Sequence, residues 1–162
     1  MDDTPVVGLI RPEDGQHLFN PIGGAMTVKV RDAATHDGFS VFDNIVPAST
    51  KGPRLHRHLR HDEVFYVIAG TLTVEIEGEI VTAPAGSFVL IPRGLAHRPS
   101  NATPEPAHVL VMFSPGGMDT FFSAVAANRI PLAGPFQGVD ADVFADFCAR
   151  YGFAFADDPP PT

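Results

Sequence analysis

Seven histidines stand in this chain of 162 residues, and three of them fall into patterns that metal chemistry uses. His56 and His58 are separated by a single residue in Leu55-His56-Arg57-His58. Side chains two apart on a strand face the same way, so both imidazoles can grip one ion. Glu63 follows shortly after, and His97 closes the stretch that begins at Gly86 and turns at Pro92-Arg93-Gly94. Three neutral imidazoles and one carboxylate make a site for a divalent ion, with a net charge of about +1 once it is bound. An octahedral ion held this way keeps two open positions, where water, dioxygen or a chelating substrate can enter.

These residues need particular elements to bring them together. The step from His58 to Glu63 is odd, so an unbroken strand would point Glu63 to the wrong face. The polar segment Leu59-Arg60-His61-Asp62 must therefore bend the chain, with Glu63, Phe65 and Val67 pointing inward and Val64, Tyr66 and Ile68 outward. His97 belongs to a strand far along the chain, and closure of a barrel is expected to deliver it.

The pattern around the site reads as short strands: 26–30, 39–47, 63–68, 72–76, 79–83, 88–91, 96–100 and 108–113. Ala69-Gly70, Glu77-Gly78, Pro84-Ala85-Gly86 and Pro92-Arg93-Gly94 break them with strong turn signals. Near-even spacing of short strands with Gly and Pro between them predicts an all-β sandwich or barrel over residues 26–114. Residues 1–25 read as an irregular lead-in. Beyond Pro115 the period changes to helical, with Met118, Phe121, Phe122 and Val125 on one stripe and Val143, Phe144, Phe147 and Cys148 on another. Two accessory helices are expected within 115–156, the second opened by Asp140 and Asp142, and a disordered tail over 157–162.

The two site segments resemble the cupin family. Gly86, Pro92, Gly94, His97 and Asn101 fit its pattern G-x5-P-x-G-x2-H-x3-N, and His56, His58, Glu63 and Gly70 fit H-x-H-x4-E-x6-G. The Gly that should stand five residues before the first His is displaced, since Gly52 stands three before it. The resemblance implies a cupin-type jelly-roll barrel with His56, His58, Glu63 and His97 as metal ligands. Over residues 7–127 the order of Gly23-Gly24, Phe39 to Phe42, Pro47, Gly52-Pro53, Asp62 to Val67 and Phe113 to Gly117 is similar to single-domain cupins related to quercetin 2,3-dioxygenase.

Composition removes other classes. A net charge of −8 argues against a nucleic-acid surface, no apolar run is long enough to span a membrane, and one cysteine allows no intrachain disulfide. The acidic start broken by Pro5 is no secretory signal, so a cytoplasmic protein is expected. His61 on the bend and His108 at a strand start are possible proton carriers, but both read first as solvated groups, as do His17 and His36. Arg54, Arg57, Arg60, Arg93 and Arg98 either steer an anion or form surface pairs, the latter expected for Arg57 and Arg98. Phe39, Phe42, Phe65, Phe88, Phe113 and Met112 read as core before pocket, and Cys148 as a packed thiol. Exposed barrel edges and an apolar helix predict a homodimer. The cofactor expected is one divalent ion, whether Fe, Mn, Ni, Co or Zn. Three functions stay open around a small-molecule ligand. The first is a dioxygenase acting on an apolar chelating enol or aromatic compound of flavonol or polyketide type, with Glu63 as the catalytic base. The second is a redox-silent isomerase, cyclase or lyase, and the third a non-catalytic binding protein.

Overall fold

The computed structural model describes residues 8–130, 132 and 140–157. Eleven strands among them form two antiparallel sheets. In chain order they are β1 (Gln16–Leu18), β2 (Met26–Val30), β3 (Ser40–Val46), β4 (His56–His58), β5 (Asp62–Ala69), β6 (Thr71–Ile76), β7 (Glu79–Pro84), β8 (Phe88–Ile91), β9 (His97–Ser100), β10 (Ala107–Ser114) and β11 (Phe153–Phe155). The larger sheet runs β1-β2-β3-β10-β5-β8 and the smaller β11-β4-β9-β6-β7, which is a jelly-roll barrel of the kind the sequence predicts. Helices α1 (Met118–Ala127) and α2 (Ala141–Arg150) follow the barrel. No described helix is long and apolar enough to cross a membrane.

Alternation decides which residues fill the barrel. On β5, Glu63, Phe65 and Val67 are buried while Val64 and Tyr66 are half-buried and Ile68 is exposed. On β10, Val109, Val111 and Phe113 point in, and β3 adds Phe42 and Val46. The β6–β7 hairpin turns through Glu77 and Gly78, both at positive φ, which is what a two-residue turn matched to the strand twist requires.

The eight expected strands appear within one residue at either end. The His56–His58 pair forms the short strand β4 that its spacing implies, and two further strands lie where none is expected. The lead-in carries β1, paired with β2 in the register Gln16↔Val28. The segment after α2 carries β11, paired with β4 so that Phe153 faces His58 and Phe155 faces His56. Each is only three residues long, so neither shows a period of its own. The helices fall where expected, and the Asp140 carboxylate caps α2 by accepting from the backbone N–H groups of Asp142 and Val143. The stripe on α2 is narrower than expected, because Val143 is 66% exposed while Phe144 and Cys148 are buried. Of the tail over 157–162, only Asp157 is described. Its carboxylate pairs with Arg54 at 2.7 Å.

The displaced Gly52 has a structural reason for being glycine. Its φ is +73°, and a Cβ there would fall on the Pro99 carbonyl oxygen of β9. Gly52→Ala should therefore cost at least about 2 kcal/mol in denaturant unfolding, by forcing apart the loop that feeds β4 and the strand that carries His97.

Candidate metal centre

His56, His58, Glu63 and His97 converge, with one ligand atom from each lying within 4.8 Å of the others, and all four are buried. The delivery differs from the sequence expectation in one respect. His97 sits directly opposite His56 in the β4–β9 pair, so neighbouring strands of the smaller sheet hold the three imidazoles. Glu63 is the candidate ligand that barrel closure brings, from β5 in the opposite sheet.

The bend between His58 and Glu63 is tied on every side. The N–H of Leu59 donates to the Gly152 carbonyl at 2.6 Å, and the Arg60 guanidinium donates to the carbonyls of Arg150 and Ala149. Gly94 N–H donates to His58 O, while Arg93 grips Asp62 through its backbone N–H and its guanidinium. That guanidinium lowers the Asp62 carboxyl to about 2. The turn that precedes His97 thus fastens the turn that precedes Glu63. Behind β4, the Phe153 ring stacks on His56 at 4.9 Å and on Phe121 of α1 at the same distance, so β11 and α1 back the ligand strand.

Ring orientation follows from carbonyl partners. His56 Nδ1 lies 2.8 Å from Arg54 O, and His97 Nδ1 lies 3.0 Å from Leu95 O. Each Nδ1–H donates outward, leaving Nε2 to face the centre, which is how ligand imidazoles are held in metal sites. His58 Nδ1 is buried with no partner, while its Nε2 lies 3.3 Å from Glu63 Oε2. His97 Nε2 lies 2.7 Å from the same oxygen.

Electrostatics supply the test of fit. Burial, with the other imidazoles beside it, drives His56 well below the ordinary histidine value, and burial also lowers His58. Burial opposes the charge of Glu63 too, yet His97 and His58 outweigh it and hold the carboxyl well below its usual range. Burial likewise disfavours charge on His97, and the Glu63 carboxylate raises it nonetheless. With acceptors on both ring nitrogens, His97 needs two ring protons unless another cation answers Glu63. A dication meets the same demand and uses the free Nε2 lone pairs, so the donor set fits a borderline divalent metal.

The other sequence candidates do not reach this centre. Leu59 and Arg60 of the bend are exposed as expected, but His61 between them and Asp62 is not: it is 6% exposed, and its Nδ1 lies 2.8 Å from Pro115 O. His108 points outward on β10 and pairs with Asp43 at 2.7 Å. Neither lines the cavity beside the ligands. His17 and His36 are exposed. Arg57 pairs with Glu77, Arg98 with Glu75 and Arg93 with Asp62, all on the surface. Phe39, Phe88 and Met112 are exposed rather than core, whereas Phe42, Phe65 and Phe113 line the cavity. Asn101, the last residue of the motif, does no chemistry. Its buried amide bonds Glu105 O, Thr103 N and Thr103 Oγ1 and ties the loop between β9 and β10.

Residues 44–113 match the model of the cupin domain family. Among solved structures, KdgF from a Halomonas species superposes with a TM-score of 0.59 at 20% identity, covering 70% of this chain and 99% of its own. A predicted oxalate decarboxylase from Thermotoga maritima gives 0.59 at 20% identity, over 67% of this chain and 99% of its own. A sugar phosphate isomerase of the cupin superfamily from Silicibacter pomeroyi gives 0.55 at 20% identity, over 66% and 75%. No curated protein matches the chain in sequence. The fold is a cupin-like jelly roll, and over residues 44–113 the sequence resembles the cupin domain.

Elemental analysis should find one divalent ion per chain in the wild type and none in the His56→Ala/His58→Ala double variant. The circular dichroism of the variant should stay that of a β-barrel.

Proposed function

We propose that this cupin binds one divalent ion through His56, His58, Glu63 and His97 and uses it as a dioxygenase of small, apolar, chelating enols or aromatic compounds. The observation that carries this reading is the cavity against the ligands. Its volume is about 70 Å³, it is partly open, and it is walled by Phe42, Phe65, Phe113, Phe122, Phe153, Met26 and Val111. His56, His58 and Glu63 are the only titratable side chains lining it, among the described residues. An apolar wall with a few convergent polar groups is the usual form of a small-molecule site. The cavity is partly open rather than sealed, so it can take the chelating end of a ligand while the rest extends along its apolar wall.

An ion held there would supply Lewis acidity toward a chelated enol and, if redox-active, electron transfer to dioxygen. Glu63 is the one carboxylate in the cavity, and an oxygen freed from the ligand set can take the enol proton. Phe65 and Phe113 flank Glu63 along and across the strands and help to keep water from the reacting end. A proton that Glu63 takes it can also return, so the preference for an oxygenase over an isomerase or lyase rests on the lining, which is apolar apart from Asn20, Asn44, His56, His58 and Glu63. That suits the chelated aromatic or enol ligand of the oxygenase reading better than a sugar. The sequence likeness to quercetin 2,3-dioxygenase-related cupins supports the same choice. Two of the structural neighbours are named for oxalate and for a sugar phosphate, both anionic compounds, and no Lys or Arg of the described residues lines this cavity to hold an anion.

The protein should be reconstituted separately with Fe, Mn, Ni, Co and Zn, and oxygen consumption followed with flavonols and aromatic polyketides. Uptake is expected with a redox-capable ion and not with Zn, and Glu63→Gln should lower turnover at least about 100-fold. Conversion under argon would assign the isomerase, cyclase or lyase class, and binding without conversion would leave a binding protein.

We also propose a homodimer. β8 ends the larger sheet, and its Phe88 and Leu90 are 73% and 61% exposed beside Tyr66, a combination that isolated chains avoid. Light scattering should report a dimer at micromolar concentration, and Leu90→Lys should return a monomer.

A further inference from the structure

One polar group in the apolar wall has no part in the metal centre. Asn44 lies on β3 between Phe42 and Val46, on the inward side of the strand, while its neighbour Asp43 points out to His108. Its strand partners are Met26 on β2 and Val109 on β10, both buried and apolar. The Asn44 Oδ1 atom is buried and makes no hydrogen bond. Six side-chain atoms among the described residues share that condition, and only those of Asn44 and His58 belong to residues lining the cavity. Leaving a buried amide unpaired is unfavourable, and such breaches of local consistency concentrate at sites that wait for a ligand.

Asn20 is the second amide lining the same cavity. Its Oδ1 accepts from Ile22 N–H at 3.2 Å, and its NH2 group has no hydrogen-bond partner among the described residues. The register places Asn44 level with Val109 and hence with Val67, which is four residues along β5 from Glu63 and two strands across from Asn44. At ordinary strand dimensions that is roughly 13 Å along and roughly 10 Å across, backbone to backbone. Side chains reaching in from both places shorten the gap, but one ligand atom cannot touch both.

We propose that the cavity is a two-ended site, in which Asn44, helped by Asn20, hydrogen-bonds a second polar group of the ligand that the metal centre chelates. This rests on the metal-chelate reading above and narrows its substrate class. The ligand is a chelator that carries an uncharged hydroxyl, carbonyl or amide several bonds from its chelating oxygens. The group is uncharged because the described lining holds no cation to match an anion and no carboxylate besides Glu63 to match a cation. An amide can present either its oxygen or its NH2 to such a group.

Hydroxamates derived from succinic and adipic acid serve as probes, each with its far end as a carboxamide or as the isosteric isopropyl group. Their affinities for the Zn-loaded protein are read by titration calorimetry. In at least one pair, the wild type should bind the carboxamide form about ten-fold more tightly. Asn44→Leu should reduce that preference to near unity while keeping the affinity for the isopropyl form. Asn44→Ala, which adds no bulk, should erase the preference in the same way. Equal binding of both forms in both pairs overturns the role of Asn44 alone, as does a preference that survives both substitutions. If no hydroxamate binds the Zn-loaded wild type, the chelate reading fails, and this inference falls with it.

Discussion

A carboxylate sealed among imidazoles must be answered by positive charge, and the rest of the structure is arranged around that demand. Glu63 is buried on all sides and shares one oxygen between His58 and His97. Isolated charges in such surroundings are costly, and pairing with neutral rings does not remove the cost. Protons on the histidines or a bound dication are the two available answers. The carbonyls behind His56 and His97 favour the dication, because they fix both rings with Nε2 toward the centre.

Holding that arrangement takes contacts from both sheets and from the C-terminal segment. β4 is only three residues long, too short to be stable alone. It is kept in place by β9 on one side and β11 on the other, and the bend after it is bonded to the α2 end and to Pro115. Phe153 passes the packing of α1 to the His56 ring through two stacked contacts. The helices after the barrel are thus part of how the ligand strand is supported.

The strands and the four side chains that converge as a candidate ligand group were legible because their signals are local. Alternation over five to eight residues shows a half-buried strand, and the two His-containing patterns fix residue types at fixed spacing. The unread features depend on partners distant in the chain. β11 has no alternation to read in three residues and exists because β4 offers an edge. His61 lies in a polar run that looks solvated, and it is buried because Gly117 and Pro115 close over it. Phe88 carries a core-type side chain on the outward face of β8, and Phe39 sits exposed just before β3 begins. Asn44 follows the inward parity of β3, but nothing in its neighbours marks it as facing a cavity rather than a packed core.

Charge placement then limits what the site can accept. The arginines near the ligands in sequence are engaged elsewhere: Arg57, Arg93 and Arg98 pair with acidic residues on the surface, and Arg60 with carbonyls at the end of α2. The cavity has therefore no fixed cation of its own among the described residues, in a chain of net charge −8. A dication beside Glu63 leaves a charge of about +1, which a single enolate or similar monoanion neutralises in an apolar enclosure. A dianion such as oxalate or a phosphorylated sugar would leave a net negative charge facing Phe42, Phe65 and Phe113, where burial penalises it most. On the proposed reading, the lining of this barrel therefore suits neutral or singly charged ligands better than dianions.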